Sequence, residues 1–489
     1  MLNTSMADSA SRSISSERLA ALLPDLSARK PAYRYLAQSI RTLILEGRLL
    51  LRVRLPAERE LAAVLVVSRP TIKAAYDLLR ESGYARSRRG AGTWTMLPDG
   101  KQPAVTQQPL APADESIDLA AAALGLPESM LTEALAYSGP LLTQRAHTPG
   151  YHPFGLTGLR SAVAERYTRR GLPTLKDQIL VTSGAQQGLA LALGLLTSPG
   201  DRVMVENPTY PNALDAIRHA RLRPTPVPVT ESGWDEEIMQ ATLRQTLPRL
   251  AYLIPDFHNP VGCLMPDEQR SAILQATSRT GTWLVIDETL TDIALDVPAP
   301  APFVAQAATG DKDHVITVGS MSKSHWGGLR IGWIRATPRL ITKLAELRVS
   351  MDMAGSVMDQ LLATSLILRT DAVLKLRLEQ VRTQRTSLLQ AVACHLPQWR
   401  THIPPGGLSL WVDLGKPIAS ALADRVRAKG VRIEGGARFS ADPGTHDHRL
   451  RIPYTLPAET LDEAVRRLAS VLADESPLGS TVDSPQWVA

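Results

Sequence analysis

The sequence predicts a multidomain protein: a small N-terminal α+β unit, then a large C-terminal α/β unit. Three observations predict it. The chain has 489 residues, more than a single hydrophobic core usually organises. Its basic charge is confined to one place. The formal net charge is +6, yet the stretch from Lys30 to Arg89 holds 13 Lys/Arg against 5 Asp/Glu, so the remainder is slightly acidic. Finally, from Ser116 to about Glu475, β-rich apolar runs alternate with helical ones, the pattern of a mostly parallel sheet covered by helices on both faces. The expected division is a flexible arm (1–29), a helical unit with a terminal hairpin (30–96), a linker (97–115), the α/β unit (116–476) and a tail (477–489).

Composition narrows the class. A hydrophobic content of 44% and a charged content of 21% are ordinary for a globular protein. Two cysteines, Cys263 and Cys394, build neither a disulfide framework nor a metal cluster, which suits a reducing cytoplasm. The start, "MLNTSMADSASRSISSERL", lacks the basic-then-apolar order of a secretory signal. No apolar run reaches about 18 residues, so no membrane span is expected. A cytoplasmic location follows as the expectation.

The N-terminal unit reads as three helices and a hairpin. "PAYRYLAQSIRTLILEGRLL" places Tyr35, Leu36, Ile40, Leu43 and Ile44 at helical spacing, with Gly47 at its end. "AERELAAVL" is a short second helix. "VSRPTIKAAYDLLRES" is a third, with Ser68 as N-cap and Pro70 in the first turn, where a missing N–H costs nothing. Ala74, Leu78 and Ala75 are expected to face the core. "GYARSRRGAGTWT" then forms a two-stranded wing with Arg86, Arg88 and Arg89 near its tip. Two short helices, a tight turn and a basic third helix followed by a basic hairpin make a winged helix-turn-helix. On these residues, "LPAERELAAVLVVSRPTIKAAYDLLRESGYARSRRGAGTW" resembles the DNA-binding domain of GntR-family regulators. The resemblance implies DNA contacts from Arg59, Ser68, Arg69, Thr71, Lys73, Arg89 and Gly90. Val66 departs from it, standing where the family usually has glycine.

The large unit raises a question of lysine chemistry. "GSMSKSHWGGLRIGW" sets Lys323 among serines and glycines, seven residues before Arg330. A neutral lysine amine forms a Schiff base with an aldehyde, and pyridoxal phosphate is the common aldehyde cofactor. Its phosphate needs N–H groups, hydroxyls and an arginine. "VTSGAQQGL" supplies a small-residue turn, Gly184, Ala185 and Gln186, opening a helix whose N-terminus attracts anions. Ser320, Ser322 and Arg330 close the cradle from the other side. The ring nitrogen needs a carboxylate, and "WLVIDET" ends an apolar strand in Asp287. A buried acid is costly unless paired, so a cationic partner is expected for it. Asn259 in "HNPVG" can donate to the ring's O3′, Tyr210 in "ENPTYP" can stack on its face, and Arg451 in "HRLRIPY" can fork onto a ligand carboxylate. Each residue alone has a bland reading as surface, turn, packing or ion pair. Their order along the chain is what discriminates.

That order resembles fold-type I aminotransferases of class I/II over about 360 residues. The resemblance implies Lys323 as the Schiff-base lysine, Asp287 on the pyridinium, Asn259 on O3′ and Tyr210 as the stacking ring. It implies Gly184, Ala185, Gln186, Ser320, Ser322 and Arg330 around the phosphate, and Arg451 on the ligand carboxylate. One departure stands out. The family's tyrosine two or three residues after the Asp is replaced here by Thr289 and Leu290. Together the two units resemble the MocR subfamily of GntR regulators. That implies a pyridoxal 5'-phosphate-dependent transcription regulator, a homodimer on double-stranded operator DNA, answering to an amino-acid or amine effector or to the cofactor itself. A working aminotransferase with an appended DNA-binding domain is the alternative, and a dimeric repressor using the large unit only as scaffold is the bland one.

Overall fold

A computed structural model of the chain describes residues 12–24, 31–88, 92–98, 116–306 and 311–474. Part of the expected arm is folded. Ser15 caps a short helix, α1 (Ser16–Leu22), and Leu19 is wholly buried in the N-terminal core. Tertiary burial, not local propensity, sustains a helix this short.

The N-terminal core is built on α2 (Ala32–Leu45), which buries Leu36, Ile40, Leu43 and Ile44. Gly47 then takes φ +67° and turns the chain away. α3 (Glu58–Val64) and α4 (Arg69–Glu81) follow. Ser68 caps α4 by accepting from the Thr71 N–H. The face of α4 corrects the sequence reading. Ile72, Ala75, Tyr76 and Leu79 are buried, while Ala74 and Leu78 are only half-buried. The buried set is an i, i+3, i+4, i+7 stripe, and the expected pair lies beside it. In the turn between α3 and α4, Val66 sits at φ +53° with 90% of its surface exposed. The wing is an antiparallel pair, β1 (Ala85–Arg88) and β2 (Gly92–Thr95). Arg89 and Gly90, two of the expected DNA contacts, lie outside the described residues.

The large unit opens with β3 (Ile117–Asp118). Its main sheet comprises β4 (Ile179–Thr182), β5 (Arg202–Asn207), β6 (Arg223–Thr230), β7 (Gly233–Trp234), β8 (Leu250–Leu253), β9 (Trp283–Asp287), β10 (Val315–Ser320) and β11 (Gly332–Arg335). The spatial order is β4-β11-β10-β9-β8-β5-β6-β7. β5, β6, β8, β9 and β10 run parallel, while β11 is antiparallel to both its neighbours. Side chains alternate between two cores: Val203, Val205, Leu250, Tyr252 and Val285 face one, and Met204, Ala251, Leu253, Leu284 and Ile286 the other. Burial on both faces is why these strands read as unbroken apolar runs. A smaller sheet collects β12 (Arg400–Thr401), β13 (Ser409–Asp413), β15 (Glu434–Gly435) and β16 (Arg449–Pro453), and β14 (Val431–Arg432) pairs with β3. The two units touch: the His446 N–H donates to the Leu45 carbonyl (2.9 Å), and Arg12 donates to the Pro226 carbonyl (2.8 Å).

Among the described residues no helix is long and apolar enough to cross a membrane, and no cluster of His, Cys, Asp and Glu could hold a metal ion. Both cysteines are free.

Candidate cofactor and DNA-binding sites

The carboxyl ends of β4, β5, β8, β9 and β10 converge, the usual position of a ligand site in such sheets. Each delivers a loop to one cavity of about 290 Å³. All eleven residues singled out from the sequence line it: Gly184, Ala185, Gln186, Tyr210, Asn259, Asp287, Ser320, Ser322, Lys323, Arg330 and Arg451. Arg451 arrives from β16 of the smaller sheet.

One end of the cavity is built for an anion. Gly184 holds φ +91° ahead of the helix Ala185–Leu196, and a Cβ there would come within 3.2 Å of Arg330 Nη2. That close approach, with the left-handed backbone, explains the glycine. Arg330 Nη2 donates to the Ser183 carbonyl at 2.8 Å. Ser320 Oγ donates to Ser322 Oγ at 3.0 Å and accepts from the Ser322 N–H at 3.1 Å. The free N–H groups of the helix start complete the cradle.

The opposite wall carries Asp287. It points to the same side of the sheet as Tyr252, because the two strands are in register with Tyr252 beside Val285. Tyr252 Oη donates to Asp287 Oδ2 at 2.7 Å, and the Thr289 N–H donates to Oδ1 at 2.9 Å. Among the described residues no ion pair reaches Asp287, so no side chain supplies the cationic partner expected for it. Two donors stabilise the carboxylate instead. Burial nevertheless pushes its pKa up, against the pull of those hydrogen bonds. A buried carboxylate that faces the cavity with no side-chain ion pair among the described residues fits a protonated ring nitrogen.

Lys323 lies in a single wide π-type turn, Ser322–Trp326, straight after β10. Such turns recur at functional positions. Its Nζ donates to the Ala122 carbonyl at 2.7 Å. Burial, and then the charge of Arg451, lower its pKa to about 8, with Asp287 opposing. Arg451 is lowered to about 10, mainly by burial. Its guanidinium stands 5.1 Å from the Phe439 ring, and Nη2 donates to the Ala120 carbonyl. Its Nε is buried and has no hydrogen-bond partner among the described residues. Tyr210 lines the cavity, with its hydroxyl accepting from Asn212 Nδ2 at 2.8 Å. Thr289 and Leu290, in place of the family tyrosine, also line the wall.

Sequence reasoning missed two contributors. Tyr252 was hidden inside "LAYLIPDF", where an apolar strand shows no facing direction. The carbonyls of Ala120 and Ala122 carry no side-chain signal at all.

The N-terminal unit groups its residues differently. Arg59, Ser68, Arg69 and Lys73 are exposed and Thr71 half-exposed, on α3 and at the start of α4. Ser68 Oγ and Thr71 Oγ1 are 2.8 Å apart, and Arg69 Nε pairs with Glu58 Oε2 at 3.2 Å.

Comparison with known proteins agrees with both halves. Residues 122–468 match the model of aminotransferase class I and II, and residues 32–94 match the model of bacterial regulatory proteins of the gntR family. The chain belongs to the class I and II aminotransferase family. It carries that domain behind a GntR-type DNA-binding domain, which is the MocR-type make-up. It is similar to the probable rhizopine catabolism regulatory protein MocR of Rhizobium meliloti, at 32% identity over 65% of this chain and 68% of that one. It is also similar to the HTH-type transcriptional regulator YdfD of Bacillus subtilis, at 27% identity over 91% and 97% of the two chains. Among solved structures, LysN, the α-aminoadipate aminotransferase of Thermus thermophilus complexed with N-(5'-phosphopyridoxyl)-L-leucine, superposes with a TM-score of 0.68 at 28% identity, covering 74% of this chain and 92% of that one.

Proposed function

We propose that this GntR-type regulator binds pyridoxal 5'-phosphate in the cavity around Lys323 and senses an amine or amino-acid ligand, or the cofactor itself, there, as a homodimer on double-stranded operator DNA. The observation that carries the reading is the convergence of an anion cradle, a buried carboxylate and a lysine of lowered pKa in one cavity. When bound, the cofactor supplies an aldehyde that condenses with primary amines.

The chain's own residues divide the work. Ser320, Ser322, Arg330 and the helix start at Gly184, Ala185 and Gln186 hold the phosphate. Arg330 fits that task as a rigid fork of donors. Asp287, held by Tyr252 and the Thr289 N–H, keeps the proton on the ring nitrogen. Asn259 donates to O3′, and Tyr210 covers one ring face. Lys323, partly neutral near pH 8, offers a nucleophilic amine and a base. Arg451 fixes the ligand's carboxylate. Leu290 cannot supply the second O3′ donor of the family, a loss of about 1 kcal/mol of hydrogen bonding. Arg59, Ser68, Arg69, Thr71 and Lys73, with Arg89 and Gly90 of the wing, contact the duplex, α4 entering the major groove. A ligand shifts DNA binding only through its different affinity for two arrangements of the dimer.

The test is a gel shift on the gene's own upstream DNA. Ligand-dependent mobility is expected for the native chain and absent for Lys323→Ala. A response retained by the variant would contradict the reading. A second reading, turnover as an aminotransferase, draws on the lowered pKa of Lys323, which suits proton transfer near neutrality. Stoichiometric production of a keto acid over many turnovers would favour it.

A further inference from the structure

Two of the cavity's three cationic side chains, Lys323 and Arg451, are held by one short piece of backbone. Residues 120–126 form a strap without regular secondary structure, following β3. Lys323 Nζ donates to the Ala122 carbonyl and Arg451 Nη2 to the Ala120 carbonyl, two residues away. Thr455 Oγ1 lies 3.5 Å from the Ala121 carbonyl, and Arg377 Nη2 donates to the Gly125 carbonyl at 2.7 Å. Buried Leu119 and Leu124 pin the strap at both sides, while Ala121 and Ala123 between them are exposed. Ala122 and Ala123 line the cavity.

Arg451 is the informative member. It is 93% buried, since only 7% of its surface is exposed, and among the described residues its Nε has no hydrogen-bond partner. No carboxylate pairs with it among the described residues. A neutral carbonyl therefore holds a position built for a charged, bidentate acceptor. Charge-assisted bonds to a guanidinium are roughly twice as strong as neutral ones, so a ligand carboxylate on this fork displaces the Ala120 carbonyl.

We infer that the 120–126 strap is a carboxylate-operated latch, which makes the effector class an amino acid rather than a simple amine. The inference rests on the cofactor reading above. A carboxylate beside the amine takes Nη2 and Nε of Arg451 and frees the Ala120 end of the strap. An amine without that carboxylate reaches the cofactor but leaves the Arg451–Ala120 bond in place. In sequence, the strap follows β3, directly after the stretch 99–115 that joins the two units, so its release acts where the DNA-binding unit is tethered.

The test uses two preformed conjugates, N-(5'-phosphopyridoxyl)-L-leucine and N-(5'-phosphopyridoxyl)-3-methylbutylamine, which differ only in the carboxylate. A nitroxide label is placed on Ala121→Cys, with Cys394→Ser removing the exposed native thiol. A parallel label on Gly125→Cys, an exposed strap position where an added Cβ meets nothing within 4 Å, guards against a failure of the first variant to fold. Binding of each conjugate to cofactor-depleted full-length chain is followed by pyridoxyl fluorescence, and strap mobility by the nitroxide line shape. Both conjugates are expected to bind, and the leucine conjugate to raise the mobile fraction at least threefold while the amine conjugate leaves it unchanged. In Arg451→Gln the leucine conjugate should bind without that rise. Equal mobility with both bound conjugates overturns the latch but leaves the cofactor reading standing, as does a mobile strap in the leucine-bound Arg451→Gln variant. Failure of both conjugates to bind removes the cofactor reading, and the latch with it.

Discussion

The cavity around Lys323 and the exposed face of α3 and α4 use similar residues under opposite conditions. In the cavity, Lys323, Asp287 and Arg451 are withdrawn from water, and burial moves the pKa of each toward its neutral form. On α3 and α4, Arg59, Arg69 and Lys73 stand in solvent, where Arg69 pairs with Glu58 on the same surface. Surface pairs of that kind contribute at most about 1 kcal/mol. A phosphate backbone can replace them easily. The contrast separates two kinds of recognition: covalent chemistry needs a desolvated, pre-set group, whereas a polyanion is met by solvated charges whose binding releases counterions.

The largest effect expected from breaking this comparison is on the DNA side. Arg69→Ala together with Lys73→Ala should lower affinity for operator DNA by a hundredfold or so, at about 1–3 kcal/mol for each side chain removed. The dependence of log K on log salt should become shallower by about one for each phosphate no longer neutralised. Cofactor uptake by the same variant should be unchanged. Salt-dependent anisotropy and an absorbance titration measure the two arms.

Next comes Tyr252→Phe, which sharpens the cavity side. It removes one of the two donors to the Asp287 carboxylate, a loss of about 1–3 kcal/mol because the acceptor is charged. Asp287 should rise further, ring protonation should weaken, and cofactor affinity should fall some tenfold. DNA affinity without ligand should stay within about twofold.

A smaller effect is expected from pH. The Lys323 amine sits at about 8 instead of its ordinary 10.5. Below about 8 the rate of cofactor condensation should fall tenfold per pH unit, and above it the rate should level off. Stability shares the sign. Below pH 8 the lysine is protonated in both states, and the folded protein bears the full cost of a buried charge. Between 8 and 10.5 the unfolded chain binds more protons, so the contribution of this group to stability rises with pH. Stopped-flow absorbance and thermal melts across that window follow the two quantities.

The smallest change is at the α3–α4 turn. Val66 holds φ +53° while exposed, a conformation that strains a β-branched residue by about 1–2 kcal/mol. Val66→Gly removes the strain but adds unfolded-state entropy of about 0.5–1 kcal/mol. A net stabilisation of about 0.5 kcal/mol is expected, seen as a rise of a few degrees or less in the melting of the N-terminal unit.

The residues of the cavity were legible because chemistry fixes their types and the alternating fold fixes their order. What was not legible depended on spatial neighbours. Tyr252 reaches Asp287 only because β8 lies next to β9 in register, a pairing that an apolar run does not encode. The two neutral donors that hold the Asp287 carboxylate were illegible for the same reason. On α4, the stripe through Ile72, Ala75, Tyr76 and Leu79 and the neighbouring pair Ala74 and Leu78 both have helical spacing, and only the packing of α2 against α4 selects between them. α1 exists because Leu19 finds a core from another part of the chain. The strap escaped notice entirely, since its bonds come from carbonyl groups that every residue possesses.

The central claim, that Lys323 carries the cofactor, is tested most directly by borohydride reduction of cofactor-saturated protein followed by peptide mass spectrometry. The account predicts one phosphopyridoxyl group per chain, on Lys323 alone. An unlabelled Lys323, or a label spread over surface lysines such as Lys73 and Lys343, would contradict it.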